Sequence, residues 1–330
     1  MEQIQNNRVI TDLYRENAQF PGIALDGSDV YLCWQRFVDR HDSLMASCRR
    51  GDEVVWEREI SDGGEVLHPV ILAHGGAIWY AWSEYARENW RILARCYRDG
   101  QWGEVLTVAS GEALFFPRLF TWQGRLHVIW TEQHKGSAAA VLCPLTEAGP
   151  GAAETVSAVG EAYRAGAAET VSAVGEAYRA GAAEGGDGNL YVAYDGFDGK
   201  QYKLFARART AAGWSKEIVV SQGEDWASTP WIAAKPDGAV VGWYDYGYMA
   251  VYSVRSADLT VRDGALAAVN PQCLKEGVDW YLDLHVASNA SGLQAMAYTR
   301  SKYDVLVCTR RGSEPWSRPV LMSYGDGHCG

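Results

Sequence analysis

The sequence predicts an all-β chain, a six-bladed β-propeller whose blades are four-stranded antiparallel sheets. The first observation behind this is a recurring apolar run that ends in a large aromatic. It ends at Trp34 (DVYLCW), Trp82 (AIWYAW), Trp130 (RLHVIW), Tyr194 (NLYVAY), Tyr244 (AVVGWY) and Tyr298 (GLQAMAY). The second is its spacing of 48, 48, 64, 50 and 54 residues. A period near 50 built from short β-type runs marks a radial β-repeat and not a stacked helical array. The third is that each aromatic run has three companions at fixed offsets, which makes four strands per unit.

The elements follow in chain order within each unit. A first strand lies 13 or 14 residues upstream of each aromatic. It is expected to open at Pro21, Pro69, Pro117 and Pro230, with Ala180 and Leu284 holding that place in the other two units. Proline suits a strand's first residue because it has no N–H to offer the ladder and its φ is already set. The second strand carries the aromatic itself, a large side chain that fills the gap between neighbouring sheets. The third strands read LMASCRR, RILARCYR, AAAVLCP, KLFARAR, AVYSVRS and DVLVCTR, and the fourth REIS, EVLTVAS, ETVS, EIVVS, GALAAV and RPVLMS. One domain over 1–330 results, with blades near 20–62, 67–110, 115–172, 178–221, 228–270 and 281–323. The segment Arg8–Thr11 reads as a seventh fourth strand. It either lies over the closing blade or marks the chain as an incomplete seven-bladed ring; six is the expectation.

Composition limits the function classes. A hydrophobic content of 48% is ample for a core, and 14 Trp with 18 Tyr fit many short buried strands. The net charge of −11 argues against a nucleic-acid partner. No stretch approaches the ~20 apolar residues of a membrane span, and MEQIQNNRVI lacks the regions of a secretory signal. Cys48, Cys96, Cys143 and Cys308 share one third-strand position, where Ala208 and Val254 stand in the other units. Such a position asks for a small buried side chain, and cysteines in different blades are too far apart to pair. An odd cysteine total without a CxxC pair points to a reducing, cytoplasmic setting. The histidines are scattered singly, so no metal site and no cofactor are expected. The chain is expected to be a monomer.

One irregularity interrupts the repeat. Residues 151–165 recur identically as 166–180, and removing one copy brings the spacing of 64 to 49. A blade needs only one of these segments, so the spare copy is expected as an exposed excursion or an added edge strand.

Chemistry is expected at one mouth of the propeller, where the loops into each first strand meet the second-to-third hairpins. The residues just before the first-strand starts are Phe20, His68, Phe116, Arg179, Thr229 and Asp283. The hairpins begin Gln35-Arg36-Phe37, Ser83-Glu84-Tyr85, Thr131-Glu132-Gln133, Asp195-Gly196-Phe197, Asp245-Tyr246-Gly247 and Thr299-Arg300-Ser301. Arginines, carboxylates and aromatics together suit a carbohydrate or another small polar ligand: a guanidinium forks a carboxylate, carboxylates take hydroxyls, and rings stack on sugar faces. Arg36, Arg179, Arg300, Tyr85 and Asp283 are the ligand-binding candidates. Asp195, Asp245, Glu84, Glu132, His68 and Tyr246 are the catalytic ones. Asp195 and Asp245 share a register directly after the aromatic; a matched carboxylate pair suits acid–base work and equally suits capping of its own turn. The mouth residues differ from blade to blade, which favours one central site over six equivalent ones.

On the opposite face, third and fourth strands are joined by turns ending in Trp: RGDEVVW (Trp56), YRDGQW (Trp102), RTAAGW (Trp214) and RRGSEPW (Trp316). These turns resemble the Asp-box, or BNR, repeats of the sialidase-like propellers, with Arg98-Asp99-Gly100-Gln101-Trp102 the nearest copy. The resemblance spans nearly the whole chain as architecture. It implies that the Trp turns are structural and face away from the active mouth. It also implies a carbohydrate ligand, taken by a glycoside hydrolase or polysaccharide lyase; the other possibility left open is a non-catalytic lectin-like or protein-interaction propeller. In the sialidases an Arg-Ile-Pro segment, a three-arginine cluster and a Tyr–Glu pair with an Asp acid carry the chemistry. This chain departs from that pattern, with Phe20-Pro21 in the first unit and Tyr178-Arg179-Ala180 only in the fourth. By the same resemblance Arg36, Arg179 and Arg300 would form the cluster, and Tyr246 or Tyr85 with Glu132 or Glu84 the pair.

Overall fold

In the computed structural model of the chain the described residues are 17–322, except 62, 135–136, 158–176, 248–251, 279–283, 290 and 302–303. Their strands form six antiparallel sheets in chain order, the blades of a six-bladed β-propeller. The first blade holds β1 (Asn17–Asp26), β2 (Asp29–Val38), β3 (His41–Arg50) and β4 (Glu53–Glu59). The second holds β5 (Glu65–His74), β6 (Ala77–Ala86), β7 (Asn89–Arg98), β8 (Gln101–Trp102) and β9 (Leu106–Gly111). The third holds β10 (Ala113–Trp122), β11 (Arg125–His134), β12 (Ser137–Thr146), β13 (Gly149–Pro150) and β14 (Glu154–Thr155). The fourth holds β15 (Ala177–Glu184), β16 (Leu190–Phe197), β17 (Tyr202–Thr210), β18 (Gly213–Trp214) and β19 (Ile218–Val219). The fifth holds β20 (Trp226–Lys235), β21 (Gly238–Tyr246), β22 (Tyr252–Arg262) and β23 (Ala265–Val278). The sixth holds β24 (Leu284–Ser288), β25 (Leu293–Ser301), β26 (Asp304–Arg311) and β27 (Val320–Leu321). In blades two to four the fourth position is shared by two short pieces that pair with the same third strand, as β8 and β9 pair with β7.

The prolines do not open the first strands. Strand β1 begins at Asn17, four residues before Pro21, and its ladder with β2 breaks between Gln19 and Gly22. The same break falls at Leu67/Val70, Tyr178/Gly181 and Ser228/Trp231. A residue without an N–H sits at such a bulge at no cost to the ladder. The residue before it takes a left-handed φ: 52° at Phe20, 53° at His68, 54° at Phe116, 44° at Arg179 and 57° at Thr229. Bulges re-aim side chains; the ladder breaks at this position in four blades, and the left-handed residue recurs in a fifth at Phe116. Just past the bulge, a Cβ on Gly22 would lie 3.0 Å from Ile71 of the next blade, and one on Gly181 would lie 3.1 Å from Ile232. Glycine there lets adjacent first strands come together.

The chain divides into two compact units. One comprises Met1–Phe120, Arg125–His134 and Leu142–Ala153; the other comprises Thr121–Gly124, Lys135–Val141 and Glu154–Gly330. In the first, Tyr31, Cys33, Leu44, Val66, Tyr80 and Trp82 bury between blades one and two. In the second, Tyr191, Val241 and Trp243 bury between blades four and five, and Tyr244, Val286 and Tyr298 between five and six. All six repeat aromatics are buried, from 0% exposed at Trp82 and Tyr244 to 5% at Trp34. Cys48, Cys96, Cys143 and Cys308 are free and buried as their shared position requires. Burial pushes the Cys143 thiol up to about 11, so these sulfurs are packing groups.

The turn tryptophans Trp102, Trp214 and Trp316 each fasten their blade to the one before it. Trp56 and Trp102 meet edge to face at 5.4 Å. Trp214 donates to Glu154 at 2.7 Å, and Trp316 donates to Ser256 Oγ at 2.9 Å. A partner device is absent from the sequence reading. Arg95 and Arg207, each seven residues before its Trp, donate to that turn's backbone (Gly103 O 2.9 Å, Ser215 O 3.0 Å). Each also reaches back to the preceding blade's fourth-strand carbonyl, Ile60 at 3.3 Å or Val156 at 2.7 Å. Both guanidiniums lie over their Trp rings, at 5.3 and 5.4 Å.

The first ETVS copy supplies β14, and the second copy's Tyr178-Arg179-Ala180 lies in β15. The path between them, residues 158–176, is outside the described residues, as are Arg8–Thr11 and Asp283.

Candidate functional site

The second unit carries a continuous row of rings along the hairpin edge of blades four and five. In blade five, Trp226, Tyr246 and Tyr252 are direct cross-strand neighbours on β20, β21 and β22. Side chains so opposed touch: Trp226 meets Tyr246 at 5.9 Å and Tyr246 stacks on Tyr252 at 4.8 Å. In blade four, Phe197 and Tyr202 are opposed in the same way at 5.5 Å. Tyr202 joins the two blades, 6.2 Å from Tyr178 and 5.6 Å from Trp226. Trp226 is 44% exposed, an indole in water at the centre of the row.

Beside the rings stand two buried carboxylates, each gripped by a guanidinium. Asp195 is fully buried, opposite Tyr178 in the ladder, and Arg179 forks it with Nε at 3.1 Å and Nη2 at 2.6 Å from Oδ2. Asp245 is 4% exposed, accepts from Trp243 Nε1 at 2.6 Å and pairs with Arg255 Nε at 3.1 Å. The side chains of Arg179 and Arg255 are each 33% exposed. The acids are therefore sealed while the arginine side chains that they pair with are partly exposed. Burial pushes both carboxyls up, and the nearby arginines, with Trp243 at Asp245, pull the other way.

A pH dependence follows from Asp245. Its folded proton affinity lies above the ordinary carboxyl value of 3.8, so above that pH the folded chain keeps a proton the unfolded chain has released. The resulting stabilisation is complete at low pH and is lost as pH rises through the folded value. Urea midpoints measured from pH 4 upward should show the stability difference between wild type and Asp245→Asn falling with pH, then levelling. A pH-independent difference would contradict this.

The remaining sequence candidates have surroundings of their own. In the first unit Glu84 is 1% exposed, accepts from Trp82 Nε1 at 3.2 Å and is held by Arg91. His68 sits between the rings of Phe20 (4.9 Å) and Phe116 (4.3 Å). Tyr85 packs on Trp90 at 5.2 Å, and Glu132 is half-buried on β11. Arg36 pairs with Glu59 at 3.4 Å, and Arg300 Nε donates to Asp304 at 3.0 Å. Arg36, Arg179 and Arg300 thus each have a carboxylate partner in their own blade. The sequence reading missed Arg255, Tyr202, Trp226 and Tyr252. For the three aromatics the signal was available, as rings at the hairpin ends of paired strands in blades four and five; Arg255 had no such mark.

Comparison with known proteins finds no family model and no curated protein that match the sequence. Solved structures match by fold. An ulvan lyase of polysaccharide lyase family PL25 has a TM-score of 0.63 at 10% identity, covering 93% of this chain and 84% of that one. A protein of unknown function from Dyadobacter fermentans DSM 18053 has a TM-score of 0.59 at 11% identity, covering 92% and 93%. The GH93 α-L-arabinofuranosidase of Fusarium graminearum has a TM-score of 0.54 at 13% identity, covering 86% and 88%. The chain shares its propeller fold with these proteins, two of which are carbohydrate-active enzymes.

Proposed function

We propose that this chain is a divergent sialidase-like propeller that binds an acidic carbohydrate along the aromatic row of blades four and five. The observation that carries the proposal is the exposed Trp226 within the row Tyr178, Tyr202, Trp226, Tyr246 and Tyr252. Flat rings in series match the apolar faces of successive sugars. Arg179 and Arg255, fixed by buried acids, supply forks for a carboxylate or sulfate. Two enzymes acting on carbohydrates among the fold neighbours support the ligand class. Asp195, Asp245 and Glu84 are each sealed and tied to an arginine, which supports recognition over bond cleavage.

The test is a glycan array printed with neutral, uronate-bearing and sulfated oligosaccharides. Wild type should retain acidic glycans. Trp226→Ala should weaken retention roughly thirtyfold, about 2 kcal/mol for a central aromatic anchor. Arg255→Lys should weaken it despite conserving charge. Retention of no glycan, or retention indifferent to Trp226→Ala, would overturn the proposal.

A further inference from the structure

A concave site lies in the first unit, at the turn edge of blades one and two and within the Asp-box-like turn. The β1–β2, β3–β4 and β7–β8 connections enclose a cleft of about 270 Å³. One wall is aromatic: Trp56 and Tyr97 meet at 5.0 Å, and Tyr31 lies 6.2 Å from each. These rings belong to the staple that joins the two blades, so packing fixes the wall.

The rim has an unequal charge balance. Its two cations are already engaged. Arg50 is forked by Asp29 through two bonds of 2.7 Å, and Arg98 pairs with Glu147 at 2.8 Å while donating to Gly75 O at 2.7 Å. Two further carboxylates line the same cleft, Asp26 and Asp99; both are exposed and, among the described residues, make no ion pair. Asp99 is held in place by a tight turn in which it and Gly100 take φ of 50° and 81°. A cavity with an aromatic wall, two carboxylates outside any ion pair and cations already engaged attracts positive charge through the ring quadrupoles and Coulomb attraction together. The volume suits one small molecule.

We propose that this cleft binds a small organic ammonium ion against Trp56 and Tyr97, with Asp26 and Asp99 as its counter-charges. The site is separate from the carbohydrate row and does not depend on it.

The experiment uses choline as the cation and 3,3-dimethylbutan-1-ol as its neutral isostere, titrated into the full-length protein at low salt and followed by calorimetry. Choline should bind, the isostere should not, and the Asp26→Asn/Asp99→Asn double variant should bind choline about tenfold more weakly. Both positions are exposed, so the double variant should melt with wild type, which separates lost binding from lost folding. Equal binding of the isostere, unchanged choline affinity in the double variant, or no choline binding up to tens of millimolar would each overturn the proposal. Glycan-array retention by the same double variant should be unchanged, so the two sites fail or succeed independently.

Discussion

Replacing Asp258 by Ala should cost about 3–5 kcal/mol of stability, the usual penalty for stranding a buried charge. Asp258 is fully buried between blades five and six. Lys235 Nζ approaches it at 3.0 Å, Arg310 bonds its other oxygen, and Asn270 Nδ2 donates at 3.2 Å. The side chains of Lys235 and Arg310 are 1% and 0% exposed. Arg310 donates onward to Gln294 at 2.7 Å and lies 4.5 Å over the Trp316 ring. Without Asp258, the buried Arg310 is left with the neutral Gln294 acceptor, and Lys235 with Ser313 Oγ at 3.1 Å and the exposed Asp237 at 3.5 Å. The urea midpoint should fall accordingly. Replacing Lys235, Asp258 and Arg310 together by Met, Leu and Met should cost less than the single change, because no charge is left behind. A single variant as stable as wild type would show that water reaches the cluster.

Trp82→Ala should be comparably damaging, about 3–5 kcal/mol for a fully buried large aromatic. Trp82 is 0% exposed, stands opposite Leu93 in the ladder and packs among Val66 and Tyr80 between blades one and two. The truncation leaves a cavity that rigid neighbouring sheets can close only in part, and it removes the indole N–H from the buried Glu84 carboxylate. Trp82→Phe should lose much less. Val54→Ala, at a position 46% exposed, is the control and should stay within about 0.5 kcal/mol. A small loss at Trp82 would mean that the repeat aromatics are not what holds adjacent blades together.

The blades were legible because a propeller repeats its physics. The demand for a large side chain in each wedge recurs at Trp34, Trp82, Trp130, Tyr194, Tyr244 and Tyr298. The demand for a small one recurs at the cysteine position. The starts of the four first strands marked by Pro21, Pro69, Pro117 and Pro230 were misread because proline was taken as a boundary, when it lies inside the strand. Phe20, His68, Phe116, Arg179 and Thr229 were singled out by their offset from the repeat aromatics, and they share a left-handed φ.

What the sequence withheld was pairing. Asp195 and Asp245 stood out by register, yet whether each faces solvent or an arginine depends on side-chain direction across a ladder. Arg179 reaches Asp195 from a neighbouring strand's bulge, and Arg255 reaches Asp245 across β21 and β22. The ring row was closer to readable. Trp226, Tyr246 and Tyr252 are neighbours as soon as the two hairpin registers are known.

The most direct measurement is a crystal structure of the protein soaked with the acidic oligosaccharide that the array retains best. A sugar ring should lie parallel to the Trp226 indole, with its acidic group within hydrogen-bond distance of Arg255 or Arg179. Sugar density elsewhere, with the row from Tyr178 to Tyr252 unoccupied, would contradict the account.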